Sequence, residues 1–310
     1  MLAIALALGA SVCWGSGDFL GGLTARRASL WVVIIGSQAV GLAGAAAVTL
    51  AAGHAWPGLG VVWPVLLGGA ASVVAISSFY RALAIGTMSI VAPITATSAA
   101  VPFVAGLVSG ERPAALQLVG VALAATGVVL AAVEPERPGE TIGVAALPNE
   151  PAVEPAAVRE ELPGAVPGRP ARRDQRVAVG LSLLAALCIG LVLLGYDATA
   201  KHDALWAMLG GRISSATLFA MLFLVLRPRV SMTRAALPYL VAVGLLDTSA
   251  NGLFSLATTQ GYLSLVAVLG SVYPVVTVLL AYGLLHERIA RHQLAGVVAA
   301  LAGVALIAAG

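Results

Sequence analysis

Apolar residues run along the chain in long stretches, separated by short groups of charged residues, glycine and proline. Each stretch is about as long as the roughly 20 residues that a helix needs to cross the apolar core of a bilayer. The pattern predicts ten membrane-spanning helices, at residues 2–23, 28–52, 61–85, 87–109, 114–133, 177–199, 203–226, 235–257, 262–285 and 290–309.

The composition supports a bilayer environment. The chain is 60% hydrophobic and only 10% charged, whereas soluble domains are about 25% charged. The net charge of +3 comes from basic residues scattered at the segment ends, so it does not indicate a nucleic-acid partner. Cys13 and Cys188 lie inside apolar segments and are interpreted as packing residues. We predict an all-α integral membrane protein that crosses the lipid bilayer many times.

Residues 134–176 differ from the rest of the chain. They hold eight of the 16 prolines and eight of the 14 acidic residues. Such sequence buries too little apolar surface to offset the entropy lost on ordering. We predict a flexible linker here, between five-helix units at 1–133 and 177–310. A regulatory or partner-binding segment is the alternative.

The two units share residues at a nearly constant spacing of 175 or 176 positions. The matched pairs are Cys13 with Cys188, Trp31 with Trp206, Glu111 with Glu287, and Gln117 with Gln293. Each unit has an odd number of spans, so the second unit enters the membrane upside down. The sequence therefore predicts two inverted five-helix repeats, an arrangement typical of transporters with a substrate site near the midplane.

Four motifs carry a likeness to a known family. They are Trp14-Gly15-Ser16, the stretch from Ala92-Pro93-Ile94 to Gly110-Glu111-Arg112, Tyr273-Pro274 before Glu287-Arg288, and Gln-Leu-x-Gly at 117–120 and 293–296. In these the chain resembles the EamA branch of the drug/metabolite transporter superfamily. It departs from the family at Ser98, where a proline is usual. The resemblance implies an exporter or exchanger with a central cavity between spans one to four and six to nine.

The orientation in the membrane is left open by the sequence. Outside the linker, seven basic residues follow the odd-numbered spans and two follow the even-numbered spans. Because positive residues favour the cytoplasmic side, this count places both termini outside the cytoplasm. The family resemblance implies cytoplasmic termini instead.

Ionisable side chains deep in apolar segments are costly and are therefore functional candidates. Asp247 lies near the centre of the eighth segment and Arg212 near the centre of the seventh. We predict that they pair, with Arg212 binding a substrate carboxylate and Asp247 orienting it or taking a proton. A structural ion pair is the alternative. Asn251, four residues after Asp247, is on the same helix face.

Other candidates for the transport path are polar or aromatic side chains within the spans: Asp18, Gln38, Arg81, Trp14 and Tyr273. Interhelical hydrogen bonds and interfacial roles are their alternatives. Three prolines within spans are candidate kinks or gates, with static packing as the alternative: Pro93, Pro102 and Pro274.

Two recurring features of the repeats receive structural interpretations. Glu111 and its repeat partner Glu287 are interpreted as interfacial anchors that help to cap the next helix, with gating as the alternative. Glycines seven residues apart give the fifth and tenth spans a smooth stripe for close packing, at Gly120, Gly127, Gly296 and Gly303.

The sequence lacks the motifs that are typical of several other function classes. The single lysine, Lys201, is followed by His202, so the chain has no Walker-type P-loop. Without a cysteine and histidine cluster we predict no metal and no cofactor, and we expect the protein not to be an enzyme. The sequence favours a secondary transporter of small organic solutes in a bacterial inner membrane, driven by protons or solute exchange. A lipid-modifying enzyme, a sensor or a channel is the alternative, and the oligomeric state, monomer or homodimer, is open.

Overall fold

The computed structural model describes residues 1–25, 28–85, 88–133, 172–285 and 290–310. Within these ranges twelve α-helices form ten spans that are long and apolar enough to cross a membrane. The helices are α1 (Leu2–Ala25), α2 (Leu30–Ala51), α3 (Leu59–Ile85), α4 (Met88–Ala96), α5 (Ala100–Val108), α6 (Ala115–Ala132), α7 (Arg172–Ala200), α8 (Ala204–Leu226), α9 (Leu237–Gln260), α10 (Leu263–Gly270), α11 (Tyr273–Leu285) and α12 (Arg291–Ala309). The predicted multi-span, all-helical architecture is confirmed for this part of the chain.

Two of the ten spans are broken into consecutive helices. In the fourth span a 3-10 turn at Thr97–Ala99 separates α4 from α5, and in the ninth span Ser271 and Val272 separate α10 from α11. Pro102 and Pro274 lie in the first turn of the helix after each break. Proline lacks the N–H that would bond to the carbonyl four residues earlier. The sequence predicts one span at each place with these prolines as candidate kinks, and the structure divides each span just before the proline.

Proline does not end every helix in which it occurs. Pro93 lies inside α4 and Pro64 inside α3, and both helices continue past them. Of the three predicted kink positions, Pro102 and Pro274 therefore coincide with breaks, whereas Pro93 does not. Neighbouring helices can satisfy the carbonyl that a proline leaves free, which explains this tolerance in membrane helices.

The sixth span begins earlier than the sequence predicts. Helix α7 starts at Arg172, inside the range 134–176 that is predicted as linker. Pro170 is the last proline before it, so nothing in the following residues prevents helix formation. The rest of the predicted linker, 134–171, lies outside the described residues, as do Glu287 and Arg288.

Helix α1 packs antiparallel against α9 of the other half. A β-carbon at Gly9 would lie 3.3 Å from Leu253, and one at Gly17 would lie 3.8 Å from Leu246. Helices α3 and α7 form a second antiparallel pair between the halves, in which Thr199 donates a hydrogen bond to the Val61 carbonyl at 3.3 Å. The main contacts of the fold therefore join one half to the other.

Helices α6 and α12 pack closely through four glycines. A β-carbon on Gly120 would lie 2.7 Å from the carbonyl oxygen of Gly303, and one on Gly127 would lie 2.6 Å from that of Gly296. The reciprocal positions on α12 are equally close to the backbone of α6. Because only hydrogen fits at these positions, the predicted glycine stripe is confirmed as the interface between the fifth and tenth spans.

Both chain termini lie at one end of the helix bundle, which we call the terminal end. Met1, Gln117 and Gln260 line one pocket there, and Gly310 lies against Gln117. At the other end, the opposite end, a backbone bridge joins Ala28 to Met232. Positions along the bundle are described below relative to these two ends.

Candidate functional site

Four polar side chains from three helices form a network in the middle of the bundle. Arg212 of α8 pairs through Nη2 with Oδ2 of Asp247 on α9. Its Nη1 donates a hydrogen bond to Oε1 of Gln38 on α2, at 3.3 Å. Ser215, one turn after Arg212, donates to the same Gln38 oxygen at 2.9 Å. The structure thus brings together three of the predicted site residues, and we call these four side chains the polar network.

The two charged members of the polar network differ in exposure. The side chain of Arg212 is 3% exposed, whereas that of Asp247 is 39% exposed. Asp247 interacts electrostatically with Asp18 of α1 and Tyr196 of α7, so its carboxylate lies on the side of α9 that faces these helices. The exposed group of the pair is therefore the carboxylate, and the guanidinium lies behind it.

Small residues on α2 and α9 allow the polar network to form. A β-carbon at Gly41 would lie 3.3 Å from Nε of Arg212, and one at Gly244 would lie 2.6 Å from the Ser37 carbonyl oxygen. The backbones can approach because neither position carries a side chain. Nε of Arg212 and Oγ1 of Thr248 are buried beside Gly41 and have no hydrogen-bond partner within the described ranges.

Asp18 of α1 also faces the interior of the bundle. Its side chain is exposed, yet it interacts electrostatically with Asp247 on α9, Tyr80 on α3 and Tyr273 on α11. Since these neighbours come from three different helices, Asp18 points into the bundle and not toward lipid. It forms no salt bridge with any residue that the structure describes.

An aromatic group closes the space beside Asp18 on the side of the terminal end. Trp14 lies four residues before Asp18, on the same face of α1. Its ring centroid is 6.5 Å from that of Tyr273, in an edge-on arrangement, and 5.8 Å from that of Phe254. A β-carbon at Gly270 would lie 3.3 Å from the Trp14 ring, so this region is closely packed.

Helix α1 has open surroundings between Asp18 and the opposite end. Gly22, four residues after Asp18, is exposed, and a β-carbon there would meet no atom within 4 Å. Toward the terminal end, all eight residues of α10 are buried. The described residues are therefore packed more closely around the site toward the terminal end than toward the opposite end.

Two further candidates lie next to these residues. Asn251 follows Asp247 by one turn of α9 and is 8% exposed. Arg81 follows Tyr80 on α3, lies near the opposite end of the bundle and is exposed. Their contributions to transport stay predictions.

Glu111 caps a helix of the other half. Its Oε1 accepts a hydrogen bond from the backbone N–H of Leu263 at 2.7 Å, and Oε2 accepts one from Ser264 at 2.9 Å. A carboxylate at this position satisfies free N–H groups and complements the positive end of the α10 dipole. The interpretation that Glu111 caps the next helix, α6, is corrected, because Gln117 serves that helix by accepting from Ala114 N–H at 2.9 Å.

Sequence reasoning missed two residues near the C-terminal end of α7. Asp197 is 4% exposed and pairs with Lys201 at 2.7 Å. Tyr196 is buried and interacts electrostatically with Arg212. The four-residue spacing of Asp197 and Lys201 was a visible signal for an ion pair on one helix face. The proximity of Tyr196 to Arg212 depends on how α7 and α8 pack and leaves no trace in the spacing.

Weakening the contact between Glu111 and α10 is expected to loosen the terminal end. Glu111→Gln removes the charge and leaves one acceptor oxygen for two N–H donors, a loss of about 1.5–3 kcal/mol. In a Cys13→Ser/Cys188→Ala background, a cysteine placed at the fully buried Ser264 should then react with a water-soluble maleimide at least about tenfold faster.

The neighbouring substitution Arg112→Gln provides the matched control, because it changes an exposed charge in the same loop and keeps the Glu111 carboxylate. Equal labelling rates for Glu111→Gln and this control would show that the carboxylate does not hold the terminal end closed.

The ten apolar spans define a multi-pass integral membrane protein. Residues 176–309, which include Arg212 and Asp247, match the model of the EamA-like transporter family. The predicted resemblance to the EamA branch of the drug/metabolite transporter superfamily is confirmed over these residues.

A search of solved structures agrees with the fold. A structure described as "Crystal structure of protein" matches with a TM-score of 0.74 and 15% sequence identity, over 99% of this chain and 98% of that chain. At this identity the likeness establishes the fold alone. None of the curated proteins matches the sequence.

Proposed function

We propose that the chain is a secondary transporter, an exporter or exchanger, which moves a small organic solute by alternating access between two inverted halves. The observation that carries the proposal is the pair of accessible carboxylates, Asp18 and Asp247, enclosed by helices in the middle of the bundle. A charged side chain at the centre of a bilayer costs about 2.5 kcal/mol or more. Structural packing alone does not need this arrangement, whereas solute binding does.

The helix contacts support the inverted repeat. Helix α1, the first span, packs on α9, the eighth, while α7, the sixth span, packs on α3, the third. In the repeat, the first span corresponds to the sixth and the eighth span corresponds to the third. The α1–α9 pair therefore corresponds to the α7–α3 pair. The same correspondence turns the α2–α8 and α6–α12 pairs into themselves. A two-fold axis in the membrane plane relates contacts in this way.

Alternating access requires a second state in which the terminal end opens and the opposite end closes. The contact of Glu111 with α10 lies on the route that would open. The breaks within the fourth and ninth spans give each half a place at which one part of a span can tilt without moving the other part. These features support a carrier more than a continuous pore.

In this mechanism Arg212 acts on the solute through Asp247. Both of its Nη atoms are bonded, to Gln38 and to Asp247, and its side chain is almost fully buried. A solute carboxylate would have to displace Asp247 to reach it. We therefore assign to Arg212 the role of orienting Asp247, in place of the direct clamp that the sequence suggests.

The proposal is tested by comparing the medium of cells that express the wild type, Asp247→Asn or an empty vector at matched protein levels. One class of small organic solutes should accumulate outside only with the wild type. Asp247→Asn should lower that export by about tenfold or more, because it leaves Arg212 buried without its counter-charge. Arg229→Gln, a change in an exposed loop, serves as the control and should export like the wild type.

Other outcomes separate the alternatives. Flux that saturates and rises with solute on the far side supports a carrier, whereas flux that stays proportional to concentration would contradict it in favour of a channel. A wild type that equals the empty vector in both export and uptake would overturn the proposal and favour a lipid-modifying enzyme or a sensor.

A further inference from the structure

We infer that the solute is a small organic cation, held by the carboxylates of Asp18 and Asp247 against the aromatic rings of Trp14 and Tyr273. This assignment rests on the proposed transport function and names the substrate class of the same site. It follows from the charges that face the interior space, from their exposure and from the chemistry of the surrounding rings.

The first argument is the charge of the site. Two carboxylates, Asp18 and Asp247, and one guanidinium, Arg212, meet in the middle of the bundle. With both carboxylates ionised, their charges of −2 and +1 leave a net charge of −1. Isolated charge in a bilayer is unfavourable. One monovalent cation neutralises the site, whereas an anion would raise its charge to −2.

The second argument is which groups a solute can reach. Asp18 and Asp247 are both exposed to the interior space, and Asp18 forms no salt bridge within the described ranges. Arg212 is 3% exposed and already bonded to Asp247 and Gln38. Of these three charged side chains, a solute can therefore reach the two carboxylates and not the guanidinium.

The third argument is the aromatic surface next to Asp18. Trp14 shares a helix face with Asp18, and Tyr273 packs edge-on against Trp14 while interacting electrostatically with Asp18. Tyr80 approaches Asp18 from α3. Aromatic faces attract ammonium groups through their quadrupoles and accept apolar substituents at the same time. This combination suits an alkylated or primary ammonium better than a hydrated metal ion, which needs several oxygen ligands.

The test uses three probes of nearly equal shape and different charge: choline, neutral 3,3-dimethylbutan-1-ol and anionic 3,3-dimethylbutyrate. The full chain is purified into lipid nanodiscs, and binding is measured by calorimetry and by the shift in melting temperature. Choline should bind and stabilise the wild type, and the neutral and anionic probes should not. Asp18→Asn should weaken choline binding about 30-fold or more, and Asp18→Glu should retain most of it.

A charge-exchange series tests the charge argument separately from packing. Asp247→Asn alone leaves the site neutral, so choline binding should fall about as far as in Asp18→Asn. The double substitution Arg212→Gln/Asp247→Asn returns the net charge to −1. It should bind choline at least about tenfold more tightly than Asp247→Asn alone. Trp14→Leu should weaken choline binding several-fold without admitting the anion.

Three outcomes overturn the assignment. They are binding of the neutral or anionic probe as tight as that of choline, choline binding that Asp18→Asn does not weaken, and the absence of choline binding at any concentration. If cells nevertheless show wild-type-dependent flux of an anionic or neutral solute, the substrate class is wrong and the transporter proposal stands. If no solute of any charge is moved, the transporter proposal fails as well.

Discussion

Replacing Arg212 with alanine will destabilise the folded protein by about 2–3 kcal/mol. Removing one partner of a fully buried ion pair costs about 3–5 kcal/mol, because the other charge stays buried without compensation. We expect less here, since Asp247 is 39% exposed and water screens part of its charge. The substitution also removes the Nη1 donor from Gln38. In detergent, the melting temperature of the purified protein should fall by roughly 5 °C.

A second substitution separates the lost charge from the lost volume. Arg212→Gln/Asp247→Asn removes both charges and keeps side chains that can bond to each other, so its melting temperature should lie above that of Arg212→Ala. Arg212→Lys keeps the charge but cannot bond to Gln38 and Asp247 with a planar fork, and an intermediate value is expected. If Arg212→Ala melts like the wild type, the pair does not contribute to folding.

Gly127→Val is expected to disrupt the contact between α6 and α12. A β-carbon at this position would lie 2.6 Å from the Gly296 carbonyl oxygen and 2.8 Å from Cα of Ala300. These are backbone atoms, so no change of rotamer can relieve the overlap and the two helices must separate. Overpacking typically costs 1–3 kcal/mol and more where the backbone has to move. We expect a loss of about 3 kcal/mol or more, seen as a lower melting temperature and a low yield of monodisperse protein.

The control for this prediction is Gly180→Val on α7. Gly180 is exposed, and a β-carbon there would meet no atom within 4 Å. This variant changes the helix propensity as Gly127→Val does, but its side chain overlaps no neighbouring atom. Its melting temperature should therefore stay near that of the wild type. Equal stability of the two variants would show that the close approach of α6 and α12 does not matter for folding.

The sequence predicts the spans well because each is determined by its own composition. A stretch of apolar residues of bilayer length forms a helix whatever its neighbours are, since every backbone polar group must be satisfied within it. The breaks in the fourth and ninth spans could not be predicted in the same way. Pro93 and Pro64 are accommodated inside helices, while Pro102 and Pro274 follow breaks, and the difference depends on the packing around each proline.

The central site was also predictable from the sequence only in part. Arg212 and Asp247 could be paired from the sequence because two charges at similar depth on consecutive spans have few other partners. Their unequal exposure could not be predicted from the sequence. It depends on the packing of α2, where Gly41 leaves room for the buried Arg212 side chain. The neighbourhood of Asp18 likewise depends on the packing of α1 against α9. This neighbourhood changes the expected solute from an anion to a cation.

The partner of Glu111 is a further case. Its position after the fourth span indicates an interfacial carboxylate, and the sequence suggests that it caps the nearest helix. The structure instead joins it to the N-terminus of α10, more than 150 residues later. A contact between distant segments leaves no local pattern, and only the three-dimensional arrangement of the two halves reveals it.

The glycine contact between α6 and α12 has a consequence for how the protein is made. Helix α6 enters the membrane when the ribosome completes the first half, but its partner α12 follows only after the whole second half has been synthesised. During that interval the small-residue face of α6 meets lipid tails, which cannot fill its groove as closely as α12 does. The nascent chain therefore carries an unmatched helix face until the second half is inserted. Insertion factors that shield small-residue helix faces should matter more for this chain than its apolar composition suggests.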